Sequence, residues 1–112
     1  MAARICYVEV PATATAPMKD FYSKAFGWVM TDFGPTYACT MSGDVDLGVQ
    51  ADRAHATRAP LPVIQVEDLE ATLAAVTSAG ATIVRPIFSF PGGRRFQFAD
   101  PSGNELAAMQ TD

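Results

Sequence analysis

A single histidine and two cysteines among 112 residues leave this chain few groups that bind metal or cross-link. The histidine, His55, sits in a stretch with no apolar period. Cys6 and Cys39 lie far apart in separate apolar runs, which excludes a disulfide framework or a zinc site and makes each a small core or pocket residue. Positive charge is also scarce. Lys and Arg total 8 against 12 Asp and Glu, for a net charge of −4, and only Arg94 and Arg95 stand side by side. Binding to nucleic acid needs clustered cations, so that partner class is excluded. No run approaches the roughly 18 to 20 apolar residues of a membrane span, and the N-terminus lacks the apolar stretch of a secretory signal. The expectation is a cytoplasmic protein with no membrane partner.

Hydrophobic residues make up 49% of the chain and charged residues 18%, the balance of a globular fold with a real core. The length suits one domain, 1–112, and is too short for two independent ones. Within it, one pattern is written twice. Module 1, about 1–50, opens with a strand at 4–10, where Ile5, Tyr7 and Glu9 alternate with Cys6, Val8 and Val10. A helix follows, with Thr15 as N-cap, Met18, Phe21, Tyr22, Ala25 and Phe26 on a buried face, and Gly27 as its stop. Strands are expected at 28–33, 37–41 and 45–50, with a turn at 42–44. Residues 51–60 form a linker.

Module 2, about 61–112, repeats the order. A strand at 62–66 leads to Glu67 and Asp68, which place carboxylates at a helix N-terminus where the dipole favours them. Leu69, Leu73 and Val76 form the buried stripe, and Gly80 stops the helix. Strands follow at 81–88, 95–99 and 105–109. The segment Ser89 to Gly93 reads either as a cover that closes over a ligand or as a long hairpin loop. Asp100 is expected to hydrogen-bond its own turn. Two tandem strand-helix-strand-strand-strand modules give an α+β fold with a cupped mixed sheet and helices on one side. The unused apolar surface suits a homodimer.

Four segments carry a resemblance: Phe21-Tyr22; Phe26-Gly27-Trp28; Val66-Glu67-Asp68-Leu69; and Phe98-Ala99-Asp100-Pro101-Ser102-Gly103-Asn104. Together they resemble the vicinal oxygen chelate superfamily of glyoxalases, bleomycin-resistance proteins and extradiol dioxygenases. The likeness is strongest to short proteins named as related to lactoylglutathione lyase. It implies a glyoxalase/bleomycin-resistance-like fold over essentially the whole chain. It also places the ligand positions of metal-dependent relatives on Ile5, Gly48, Leu61 and Ala107, none of which can bind a divalent cation. A slip of one or two residues would bring in Tyr7, Glu9, Asp46 or Glu105 without assembling three good ligands. No metal and no cofactor are therefore expected.

The same resemblance turns Arg95 and Gln97 toward the cup. Alternation adds Tyr7, Glu9 and Glu105, and Tyr37 comes from the matching strand of module 1. These six are the candidate ligand-binding residues, in a mixed apolar and polar lining typical of small-ligand sites. Glu9 and Tyr7 are also candidates for catalysis, Glu9 as a base if burial raises its affinity for protons. A plainer alternative pairs Glu9 with Arg95 as a structural ion pair. Three functions follow: a metal-free small-molecule binder; a lyase or isomerase that is metal-independent or uses a non-standard metal set; and a structural or regulatory dimer whose cup is filled by its own side chains. The residues leave open whether binding leads to chemistry.

Overall fold

The computed structural model describes residues 3–41 and 43–112. Ser42, expected in a turn, lies outside them. The order is β1 (Arg4–Pro11), α1 (Thr15–Phe26), β2 (Thr31–Asp32), β3 (Tyr37–Cys39), β4 (Asp46–Gln50), β5 (Leu61–Gln65), α2 (Leu69–Ser78), β6 (Thr82–Phe90), β7 (Gly93–Ala99) and β8 (Glu105–Thr111). Among the described residues, two helices and eight strands in mixed pairing make the expected α+β fold. The chain forms two compact units, Tyr7–Leu61 and Pro62–Asp112, the second including β1 up to Cys6.

The two units use the same wiring. In the first, the strand order is β2-β3-β4-β1, antiparallel except for the parallel β1–β4 pair. In the second, the order β6-β7-β8-β5 repeats it, with β5–β8 parallel. A parallel neighbour needs a crossover, and each helix supplies part of one.

α2 packs as its sequence demands. Asp68 caps it by accepting from the Ala71 N–H at 3.0 Å, and Leu69 is fully buried. Val66, Leu69, Phe96 and Ala108 form the core of the unit, joined by Ile64, Leu73, Val76, Ile83, Ile87 and Phe98. The helix thus covers one face of the sheet, and alternation leaves Arg95, Gln97, Glu105 and Ala107 on the other.

α1 departs from expectation. Its N-cap is Ala14, whose side chain makes no capping bond, and Thr15 is already helical. Gly27 ends it in the left-handed conformation at φ 72°, returning its N–H to Ser23 O. The aromatic face was expected to be core, yet Phe21 is 57% and Phe26 60% exposed. These rings pack on one another and on Trp28, with Tyr22 stacked on Trp28 at 5.4 Å between centroids, instead of entering a sheet. Met18 and Tyr22 are the half-buried members of the face. The strand expected at 28–33 shrinks to Thr31–Asp32, because β3 offers it a partner only there.

The Ser89 to Gly93 segment is no cover. Ser89 and Phe90 lie in β6 and pair with Arg94 and Gly93, so Pro91-Gly92 is a two-residue turn with Gly92 at φ 104°. Asp100 does bond its own turn, accepting from the Ser102 and Asn104 N–H groups at 2.9 Å and from the Asn104 side chain at 3.0 Å.

Candidate functional site

Each unit carries its own polar cluster. In the first, β1 and β3 bring three of the expected residues together. Tyr37 donates to Glu9 Oε1 at 3.0 Å, and the hydroxyls of Tyr7 and Tyr37 meet at 2.5 Å. A phenol has one proton, so while Tyr37 gives its proton to Glu9, Tyr7 must donate to Tyr37. The result is a directed chain, Tyr7 to Tyr37 to Glu9, ending on a carboxylate that is 2% exposed. Burial, with the Tyr37 phenol close by, holds the Tyr7 phenol far above the usual tyrosine range. Burial and the Glu9 carboxylate do the same for Tyr37. Burial also raises the Cys39 thiol.

Because both phenols are neutral when folded and their ordinary value is near 10, they stabilise the fold fully below about pH 10. Above it the unfolded chain releases protons that the folded chain keeps, so stability falls as pH rises. Urea midpoints across this range should drop above about pH 10, and phenolate absorbance from Tyr7 and Tyr37 should appear only with unfolding. A Tyr37→Phe variant should show a shallower decline.

The cluster depends on an absent side chain. A Cβ at Gly48 would lie 2.6 Å from Tyr7 Cζ and closer still to both phenol oxygens. The two rings therefore occupy the space a residue-48 side chain would fill.

The register also relocates the metal-ligand positions. Glu9 pairs with Gly48 in β4 and Val63 with Ala107 in β8. Glu9 and Val63 are thus counterparts, and two residues earlier so are Tyr7 and Leu61. Ile5, expected as the counterpart of Leu61, lies further out and is 52% exposed. The offset arises because β1 stays paired through Pro11. Val66 consequently matches Ala12 rather than Val10, and counting back from a valine lands two residues early. At these positions Tyr7 offers a neutral phenol, and Gly48, Leu61 and Ala107 offer no ligating side chain for a divalent cation. Among the described residues, no group of three or more His, Cys, Asp and Glu side chains is placed to hold a metal.

The second cluster joins the other three expected residues. Gln97, 4% exposed, donates from Nε2 to Glu105 Oε2 at 2.5 Å and accepts from Arg95 at 3.3 Å. Two residues missed from sequence stand on the same face. Arg85 lies over the Phe88 ring with its guanidinium carbon 3.6 Å from the centroid, and Arg95 lies 5.2 Å from the same ring. Arg85 and Phe88 are three apart and would face opposite ways in a regular strand. Register shifts on both sides of Arg85 prevent this: Ile83 pairs with Phe98, Arg85 with Gln97, and Phe88 with Arg95. Each shift inserts an extra residue in the edge strand β6, leaving Ile83 and Ile87 on the core and bringing Arg85 and Phe88 to the polar face. Pro86, inside an otherwise strand-like run, was the available signal.

A depression of about 460 Å³ in the first unit is lined by Ala12, Thr13, Arg53 and Ala56. It shares no residue with either cluster.

A sequence profile of the Glyoxalase/Bleomycin resistance protein/Dioxygenase superfamily matches residues 4–108. The chain belongs to that superfamily. Solved structures agree on the fold. An NAD-dependent benzaldehyde dehydrogenase from Legionella pneumophila is 18% identical with a TM-score of 0.76, the match covering 95% of this chain and 98% of that one. Methylmalonyl-CoA epimerase from Mycobacterium tuberculosis is 14% identical at 0.75, covering 96% and 87%. A superfamily member from Vibrio splendidus is 15% identical at 0.70, covering 99% and 100%. At these identities the likeness shows the fold alone. A comparison with curated proteins found no match. No described helix is long and apolar enough to cross a membrane.

Proposed function

We propose that this superfamily member binds a small organic molecule on the polar face of β6, β7 and β8, without a metal. One observation carries the reading: Gln97, a nearly buried amide turned away from the hydrophobic core, is held in one orientation by Arg95 and Glu105. A fixed donor and acceptor row beside an aromatic ring suits a ligand of mixed polarity. The first unit supports a different role. With Tyr7 and Tyr37 filling the space at Gly48, that cluster reads as a plug of the protein's own side chains, the feature expected of a structural module.

The experiment compares benzoate, benzamide and benzamidinium as probes. Any probe that binds the native state raises the thermal midpoint. The expected result is a rise with at least one probe that is lost in Gln97→Leu, whose folding is checked by circular dichroism. No rise with any probe, or an equal rise in Gln97→Leu, would contradict the assignment of this face.

A second reading, a lyase or isomerase, draws on the chain from Tyr7 to Glu9. A substrate would meet Tyr7 first, as a neutral phenol whose proton is relayed toward Glu9. Glu9→Gln should then abolish turnover with the fold intact. We also infer a homodimer, a reading supported by the exposed aromatic surface of Phe21, Phe26 and Trp28.

A further inference from the structure

We propose that Arg85 is an anion-recognition residue and that the ligand of the β6–β8 face carries a carboxylate. The inference rests on the binding reading above and narrows it to a chemical class. Its basis is the cost of placing Arg85 where it is. Two irregularities in β6 interrupt ladder pairing around Pro86, and their combined effect is to bring Arg85 and Phe88 onto the face that already holds Arg95, Gln97 and Glu105. A long cation on an edge strand can stay in water without any such device.

The way Arg85 is held matters as much as its position. Stacking on the Phe88 ring at 3.6 Å orders the guanidinium through its face. Its N–H donors all lie in the guanidinium plane, so stacking uses none of them. Among the described residues, no carboxylate forms an ion pair with Arg85. An ordered guanidinium with its edge available matches a carboxylate in bidentate geometry. Arg85 adds a positive charge with no carboxylate of its own to a face where Gln97 bridges Arg95 and Glu105, which suits an anion better than a cation. Gln97, between Arg95 and Glu105, would meet the uncharged polar part of such a molecule.

The test uses benzoate against its uncharged isostere benzamide and its cationic relative benzamidinium, titrated by calorimetry into the intact protein. Benzoate should bind best, Arg85→Gln should weaken it roughly tenfold to a hundredfold, and Arg85→Lys should recover only part of the loss. If benzamide or benzamidinium binds as well as benzoate, or if Arg85→Gln leaves benzoate binding unchanged, the anion assignment is overturned while small-molecule binding stands. If none of the three binds, both fall. The comparison of probes needs no variant, so it stands even if Arg85→Gln folds poorly.

Discussion

Gly48→Ala is expected to destabilise the protein by about 2 to 3 kcal/mol, the upper range for overpacking a filled site. The added methyl would meet Tyr7 Cζ at 2.6 Å and press on both phenol oxygens. Neither ring can move aside without breaking the hydrogen bonds that link Tyr7, Tyr37 and Glu9. In a chain of this length the loss should lower the thermal midpoint by roughly 10 °C. The specific signature is a double-mutant cycle. Tyr7→Leu shortens the side chain that blocks the methyl, so Gly48→Ala should cost less in that background than alone. Strict additivity would mean that the phenol does not occupy the residue-48 space.

The second large effect lies in the other unit. Phe96 is fully buried at the centre of the cluster formed by Val66, Leu69 and Ala108, and it touches the Phe98 ring at 6.0 Å between centroids. Phe96→Ala should cost about 3 to 5 kcal/mol through lost burial and a residual cavity. That is a large fraction of the stability of a small domain, and urea denaturation would read it directly. A cost below about 1 kcal/mol would mean that α2 does not rest on this residue. Because the residues flanking Phe96 in sequence, Arg95 and Gln97, point the other way, the same experiment tests whether alternation in β7 divides core from site.

What the sequence made legible was whatever depends on period and punctuation. The repeated strand-helix-strand-strand-strand order, the stripe of Leu69, Leu73 and Val76, the stop at Gly27 and the turn closed by Asp100 all follow from local rules that tertiary contacts left intact. Within the first unit Tyr7, Tyr37 and Glu9 are linked by hydrogen bonds, and within the second Arg95, Gln97 and Glu105 are, links that alternation alone does not specify.

Three things were hidden, each for a physical reason. The position matching Leu61 depends on where β1 stops pairing, and Pro11 extends it past the valine that marks its apolar end. Arg85 and Phe88 look like opposite faces of a strand until the irregularities around Pro86 are known. The aromatic face of α1 has the spacing of a core helix, yet spacing does not reveal that Phe21, Tyr22, Phe26 and Trp28 pack on one another while Phe21, Phe26 and Trp28 stay exposed.

The ligand face proposed here is the polar face of the second unit, rather than a metal centre or the depression beside the linker. Proton–nitrogen correlation spectra recorded during a benzoate titration distinguish these places. The Gln97 side-chain amide and the Arg85 Nε–H signals should move together, while the backbone signals of Ala12, Thr13, Arg53 and Ala56 stay fixed. Movement confined to those four residues, or no movement at Gln97 and Arg85 at saturating benzoate, would contradict this placement.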